Sequence, residues 1–133
     1  MTSSPKRTRQ RDLFGKPIPE TPESKIHASI VEYLKLNGHP KLLFFHSPQG
    51  ALERVSQRVQ FAKLGTLPGL ADLVLVLPGG QAAFLEVKGA IGFMSEGQQA
   101  FQARCALLGL RYRMVRTLAD AIEVFREWGA LRR

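Results

Sequence analysis

Hydrophobic and polar residues follow two periodicities along this chain, and together they predict a mixture of helices and strands. Apolar residues recur at helical spacing from Thr21 until the Asn37-Gly38 pair, which ends the pattern. The aromatic-rich run Lys41–His46 predicts a short strand. A second helix is predicted over Ala51–Leu64, where apolar positions again share one side.

Two β-type runs, Leu70–Leu77 and Gln81–Lys88, are joined by a Pro-Gly-Gly turn and predict a hairpin. After the hairpin, the pattern predicts a helix, a strand and a final helix, over residues 95–108, 111–116 and 117–128. The predicted order is α-β-α-β-β-α-β-α. Such an order indicates an α/β fold whose central sheet carries helices on its faces.

The two faces of the hairpin carry different side chains, because successive side chains along a strand point to opposite faces. One face is uniformly apolar: Leu73, Leu75, Leu77, Ala83, Leu85 and Val87. The other is also largely apolar, but Asp72, Glu86 and Lys88 interrupt it at the end away from the turn. Since both faces are apolar, helices should cover both.

The turn length determines which residues of the hairpin face each other. A three-residue loop pairs Leu77 with Gln81 and therefore places Asp72 opposite Glu86, with Lys88 as a diagonal neighbour. A two-residue turn would shift this pairing by one residue. We take the three-residue loop as the prediction.

Two neighbouring carboxylates on a covered sheet repel each other and lose hydration. A divalent cation relieves both effects, and oxygen ligands suit magnesium, with manganese as a substitute. The ammonium of Lys88 could orient a water molecule, help deprotonate it, or neutralise charge on a phosphate. A structural alternative is a simple ion pair between Lys88 and Glu86, and the residues alone leave both interpretations open.

The overall charge favours a polyanionic partner. The chain has 133 residues, enough for one domain, and a formal net charge of +8. A solvated basic surface without a ligand is the alternative. Residues 1–22 are rich in proline and basic side chains and predict a flexible basic tail, which contacts DNA phosphates or only aids solubility. Residues 23–133 are predicted to form the folded domain.

The single cysteine excludes a disulfide framework and a cysteine-rich zinc site within one chain. Cys105 falls in an apolar helical pattern and is predicted to pack in the core. No apolar run reaches the roughly 18 residues of a membrane span. The basic N-terminal residues are not followed by the apolar stretch of a secretory signal, so we expect a cytoplasmic protein.

The spacing of Asp72, Glu86 and Lys88 matches the signature of the PD-(D/E)xK nuclease superfamily. More narrowly, residues 23–116 resemble the virus-type replication-repair nuclease (VRR-NUC) domain. Four ordered features carry the resemblance: Glu23 at the start of a helix, Gly69-Leu70-Ala71-Asp72, Glu86-Val87-Lys88, and Ser95-Glu96-Gly97-Gln98. The family often has proline where this chain has Ala71. Proline there would contribute rigidity and no ligand, so the difference does not argue against activity.

The resemblance implies a restriction-endonuclease-like core with a mixed central sheet, and it implies roles for individual residues. Asp72, Glu86 and the main-chain carbonyl of Val87 become Mg²⁺ ligands, and Lys88 becomes the catalytic lysine. Glu23 would approach the metal through water or support a second ion, although the helix dipole alone also favours an acid there. Gln98 would face the site, although Ser95-x-x-Gln98 is also a capping box.

The implied function is a metal-dependent DNA endonuclease that leaves a 5′-phosphate and a 3′-hydroxyl. Compact members of the family are bacterial or phage-like and tend to act as homodimers on branched DNA such as four-way (Holliday) junctions, in repair or recombination. Candidate contacts to the DNA backbone are His27, Arg54, Arg58, Lys63, Arg111, Arg113 and Arg116, with His46 near the hairpin. The alternatives are a flap or restriction-like endonuclease, and a non-catalytic DNA-binding module with a vestigial site.

Overall fold

The computed structural model describes residues 22–47, 59–60 and 63–133. Within these ranges, four strands form one sheet and three helices pack on it. In chain order the elements are α1 (Glu23–Asn37), β1 (Leu43–His46), β2 (Leu73–Val76), β3 (Ala82–Val87), α2 (Glu96–Leu108), β4 (Arg111–Val115) and α3 (Leu118–Trp128). The basic tail, except for Pro22, and most of the helix predicted over Ala51–Leu64 lie outside the described residues. The predicted α/β class is confirmed.

The sheet is mixed, and its strands lie in the order β1-β2-β3-β4. The first two pairings are antiparallel, whereas β3 and β4 are parallel. Parallel neighbours cannot be joined by a tight turn, and α2 provides the longer connection between them. The predicted mixed sheet with flanking helices is therefore confirmed.

The β2–β3 hairpin has the register that the turn predicts. Leu73 pairs with Leu85 and Val76 with Ala82. Beyond the last pair, the Leu77 N–H donates to the Gln81 carbonyl over 2.9 Å. The intervening turn needs a left-handed residue, and Gly80 supplies it with φ of 84°. The three-residue loop is confirmed, and Asp72 and Glu86 fall at opposite positions of the extended register.

Helices α1 and α3 cover the uniformly apolar face of the sheet. Leu73, Leu75, Leu85 and Val87 are fully buried there. The helices contribute the remaining core side chains: Ile26, Ile30 and Leu34 from α1, and Ala121, Val124, Phe125 and Trp128 from α3. This apolar cluster is the main source of stability, because burial of apolar surface is the dominant favourable term in folding.

Helix α2 covers part of the opposite face. Its Phe101 ring lies 5.0 Å from the Phe84 ring in an edge-to-face contact. Cys105 is buried, as its apolar helical pattern predicted. Nearer the β1 edge, Leu43 and Phe45 are exposed on this face. The prediction that helices cover both faces of the hairpin holds over β3, where α1 packs on one face and Phe101 of α2 on the other.

The element ends differ from the predictions by at most three residues. Helix α1 begins at Glu23, and the carbonyl of Pro22 accepts its first hydrogen bonds. Thr21, where the helical pattern begins in the sequence, lies outside the described residues. Strand β2 begins three residues later than predicted, because Asp72 uses its side chain rather than its main chain to pair with β3. No helix in the described ranges is long and apolar enough to cross a membrane.

Candidate active site

Asp72 stands at the point where the β2–β3 ladder ends. Its carboxylate oxygen Oδ2 accepts a hydrogen bond of 2.7 Å from the main-chain N–H of Val87. Its own carbonyl accepts hydrogen bonds from the Ser47 N–H over 2.9 Å and from the imidazole of His46 over 3.0 Å. Asp72 is thus tied to β1 through its main chain and to β3 through its side chain. These contacts fix the carboxylate at the open end of the hairpin.

Glu86 lies on the same face, beneath α2, with 1% of its side chain exposed. Its Oε1 accepts a hydrogen bond of 2.9 Å from the Gln98 amide. Its Oε2 is buried without a hydrogen-bond partner in the described part of the chain. A buried carboxylate oxygen without a donor is costly, since nothing replaces its lost hydration.

The electrostatics of Glu86 reflect this position. Burial, and then the close approach and negative charge of the Asp72 carboxylate, raise the pKa of Glu86 to about 8, against an ordinary value of 4.5. The charge of Lys88 acts in the opposite direction and does not offset them. Two ionised carboxylates have no hydrogen to share, so the contact between Asp72 and Glu86 requires either a proton or a cation.

Lys88 follows β3 directly, and its side chain is 12% exposed. Its ammonium nitrogen lies 3.8 Å from Glu86 Oε1, which is too long for a direct hydrogen bond. The structural alternative, in which Lys88 simply pairs with Glu86, therefore explains only part of the site. It leaves Glu86 Oε2 without a partner and a second acid, Asp72, beside it.

Gln98 belongs to both the helix end and the site. The Ser95 hydroxyl accepts from the Gln98 N–H over 3.2 Å, and Gln98 Oε1 accepts from the Ser95 N–H over 2.8 Å, which completes a capping box. The other end of the same amide donates to Glu86. The capping box orients the Gln98 side chain, so its amide reaches Glu86 from a fixed position.

The loop before Asp72 packs against the start of α2 at Gly69, which lies next to the backbone of Gly97 and Gln98. Gly69 has φ of 75°, in the left-handed region, and a Cβ at this position would collide with the backbone of Gly97 and Gln98. Any other residue at position 69 would push α2 away from the hairpin. This contact brings the segment containing Asp72 next to the segment containing Gln98.

The side chains at this site offer oxygen ligands, which suit a hard divalent cation such as magnesium. In the ranges that the structure describes, no three His, Cys, Asp or Glu side chains come together as a metal site. Within those ranges, the neighbouring acids that could serve as ligands are Asp72 and Glu86. Because the N–H and C=O of a strand residue point to the same side of the strand, and the Val87 N–H donates to Asp72, we expect the Val87 carbonyl on the same side of β3 as Asp72. Magnesium uses one or two carboxylates and retains several waters, so these residues fit it.

Three further candidates lie at the same end of the sheet. Glu23 is exposed in the first turn of α1, and its charge contributes to raising the pKa of Glu86. The rings of His27 and His46 meet edge to face with centroids 4.7 Å apart. Burial first, then His46, lowers the pKa of His27, which favours a neutral imidazole. The structure brings these residues near the acids, and their roles stay predictions.

The predicted DNA-contact residues are scattered. Arg111 and Arg113 lie on the face of the sheet opposite the site, because they pair with Ala83 and Leu85. Arg111 donates to the side chain of Gln81. Arg113 donates to both carboxylate oxygens of Glu127, at 2.9 and 3.0 Å. Lys63 is exposed. Arg54 and Arg58 lie outside the described residues.

Two residues near the site have roles that the sequence did not indicate. Arg116 donates to two main-chain carbonyls in the loop after Lys88, at 2.6 and 2.8 Å, so its guanidinium is held by the protein. Tyr112 places a hydroxyl on the Glu86 face, buried without a partner among the described residues, and burial raises its pKa. The alternation of β4 could have placed Tyr112; no local pattern indicates the Arg116 contacts.

A solved structure described as a VRR_NUC domain protein superimposes on this chain with a TM-score of 0.66, at 14% sequence identity. The match covers 83% of this chain and 89% of that protein. The chain has a VRR-NUC fold. No protein-family model and no curated protein matches the sequence. The VRR-NUC fold is restriction-endonuclease-like, so the fold that the sequence motifs implied is confirmed.

Proposed function

We propose that this protein is a metal-dependent DNA endonuclease acting through Asp72, Glu86 and Lys88. One observation carries the proposal: Glu86 is buried with an oxygen that no donor among the described residues satisfies, beside a second carboxylate and an ammonium group. A core built only for stability avoids such a group, because an unpaired buried charge destabilises the fold. A site for a cation and a phosphate requires it.

The carboxylates of Asp72 and Glu86 and the carbonyl of Val87 would hold Mg²⁺, with Mn²⁺ able to replace it. The bound ion would supply activated water and neutralise charge on the phosphate. Gln98 keeps the Glu86 carboxylate in one orientation, and the Val87 N–H does the same for Asp72. Glu23 is a proposed water-mediated contact to this ion or support for a second one.

Lys88 has a separate task in this proposal. Its ammonium group lies just beyond hydrogen-bonding distance of Glu86, so it is free to donate to an oxygen of the scissile phosphate or to orient the attacking water. The nearby His27 and His46 imidazoles are proposed contacts to an adjacent phosphate. Hydrolysis would leave a 5′-phosphate and a 3′-hydroxyl, as the VRR-NUC resemblance implies.

The proposed substrate is branched DNA, such as a four-way junction, cut by a homodimer in the cytoplasm during repair or recombination. The net charge of +8 supports a nucleic acid. Residues 23–133 would form the nuclease domain and residues 1–22 a flexible basic tail. Flap cleavage and restriction-like cleavage of linear duplex are the competing specificities.

Cleavage assays on a four-way junction, a flap and a linear duplex, with Mg²⁺, Mn²⁺ or chelator, test the proposal. We expect the protein to cut the four-way junction faster than the flap or the linear duplex. Chelator should abolish this cleavage. Asp72→Asn, which can keep the hydrogen bond from Val87, and Lys88→Met should each lower the rate roughly 100-fold or more. Lys35→Met is the matched control, since Lys35 is exposed in the last turn of α1. DNA binding without metal-dependent cutting would instead indicate a binding module with a vestigial site.

A further inference from the structure

The loop that follows Lys88 exposes two large apolar side chains beside the candidate site. Ile91 is 46% exposed and Phe93 is 74% exposed. Single exposed apolar residues are common on protein surfaces and need no explanation. These two are only two positions apart, and the first lies three residues after the proposed catalytic lysine.

The base of this loop is held by hydrogen bonds. The guanidinium of Arg116 donates to the carbonyls of Gly89 and Gly92 over 2.6 and 2.8 Å. The Gly92 N–H in turn donates to the Gly89 carbonyl over 3.2 Å. Arg116 follows β4 directly, and the last residue of β4, Val115, accepts from the Lys88 N–H over 2.9 Å. The loop is thus fastened to the end of the sheet that carries the site.

The loop also contacts the lysine itself. A Cβ built on Gly92 would lie 3.3 Å from Cδ of Lys88, so the lysine chain runs along the backbone of this glycine. The exposed apolar pair therefore has a defined position relative to the Lys88 ammonium. The loop therefore lies against the side chain whose ammonium group is proposed to contact the scissile phosphate.

We propose that Phe93, supported by Ile91, stacks on a nucleobase adjacent to the phosphate that the site cleaves. The substrate class is then DNA with an unpaired or unstacked base at the cut, as found at a branch point. This inference rests on the proposed nuclease function. Aromatic side chains bind the faces of bases irrespective of sequence, and apolar side chains can also separate neighbouring base pairs.

A fully paired duplex offers no free base face, because each base is stacked between its neighbours. Phe93 would gain little from such DNA, whereas the basic side chains would bind both kinds of DNA through phosphates. The loop therefore provides selection for DNA structure, which the backbone contacts alone do not. Because Arg116 fixes the base of the loop, less conformational entropy is lost on binding.

Binding and cleavage by the full chain should be measured on two DNAs of the same sequence around the cut, one with an unpaired base there and one fully paired. A fluorescent base analogue at that nucleotide reports stacking. We expect Phe93→Ala to weaken binding of the unpaired-base DNA roughly fivefold or more and to leave the paired duplex unchanged. Phe93→Trp should restore binding and the fluorescence change.

Leu107→Ala is the matched control, since Leu107 is 86% exposed near the far end of α2. Equal effects of Phe93→Ala on both DNAs, or no effect beyond that of the control, would overturn the proposal. A change in oligomeric state on Phe93→Ala would also overturn it, because the apolar pair would then be a protein interface. If the wild-type protein cuts neither DNA, the nuclease function fails, while the binding and fluorescence comparison still tests the loop separately.

Discussion

Leu85 and Glu86 are neighbours on β3, equally removed from water, and yet they occupy opposite kinds of environment. Leu85 is fully buried among apolar side chains under α1 and α3. Glu86 is 1% exposed on the other face under α2, beside a second acid, and one of its oxygens has no hydrogen-bond partner within residues 22–47, 59–60 and 63–133. The comparison shows that burial alone does not distinguish a structural position from a candidate functional one.

The difference lies in what each buried group gains. Burial of Leu85 removes apolar surface from water and stabilises the fold. Burial of Glu86 removes a carboxylate from water without replacing all its hydrogen bonds, which opposes folding. One face of the hairpin therefore contributes stability, and the other lowers it at the position where the proposed chemistry needs an ionised acid. Substitutions on the two faces should have opposite consequences.

The largest effect is expected from Leu85→Ala. The substitution leaves a cavity in the sealed core and should lower the free energy of unfolding by about 2–5 kcal/mol, as measured by denaturant unfolding. Cleavage per folded molecule should not change. Leu43→Ala is the control, because Leu43 is exposed on the edge strand and its loss should matter by less than about 0.5 kcal/mol. Similar losses for both variants would contradict the core described for this face.

The adjacent substitution Glu86→Gln should act in the opposite direction. The new amide can donate to Asp72 while its oxygen still accepts from Gln98, so at pH 7.5 without metal we expect stability to rise by about 1–3 kcal/mol. Cleavage should fall roughly 100-fold or more. Thermal unfolding and initial rates on the same preparations test both parts. A variant that is less stable and fully active would contradict the assigned role of this face.

The pH dependence of stability tests the same residue in the wild-type protein. The pKa of Glu86 is about 8 in the fold against 4.5 ordinarily, so the folded state binds the extra proton between these values. The contribution of Glu86 to the free energy of unfolding of the metal-free protein should therefore be most favourable below pH 4.5. It should decline as the pH rises toward 8, by at most about 1.4 kcal/mol per pH unit.

Two comparisons isolate Glu86 in that experiment. Glu86→Gln should flatten the decline, because the titrating group is gone. Mg²⁺ should raise the melting temperature of the wild-type protein more at pH 8 than at pH 6, since a cation favours the ionised carboxylate. A decline that persists unchanged in Glu86→Gln would assign it to another group.

The placement of Asp72 opposite Glu86 was predictable because it follows from the number of residues in the turn and the strands. Alternation along the strands and a three-residue turn determine the register of β2 against β3, and this register places Asp72 opposite Glu86. Gln98 was predictable as a residue of the capping box, and its reach toward Glu86 followed from the family resemblance. The family resemblance, rather than any physical pattern, suggested the nuclease function and a role for Glu23.

Other features depend on contacts that no local pattern encodes. The face occupied by Arg113 depends on the parallel register of β4 against β3, which the sequence does not determine. The bonds from Arg116 to the Gly89 and Gly92 carbonyls join segments 27 and 24 residues apart. The required glycine at position 69 follows from a tertiary contact with the start of α2.

The smallest expected effect separates the two roles of the Ser95–Gln98 pair, where the helix end meets the site. Gln98→Glu keeps an acceptor for the Ser95 N–H, so the capping box and the stability should survive, but it replaces the amide that donates to Glu86 with another acid. We expect cleavage to fall by roughly tenfold. Ser95→Ala should do the reverse, lowering stability by about 1 kcal/mol with cleavage per folded molecule nearly unchanged. If both variants instead lose stability and activity in parallel, the role of Gln98 is only to support the helix. The proposed functional residues on this face are then Asp72, Glu86 and Lys88.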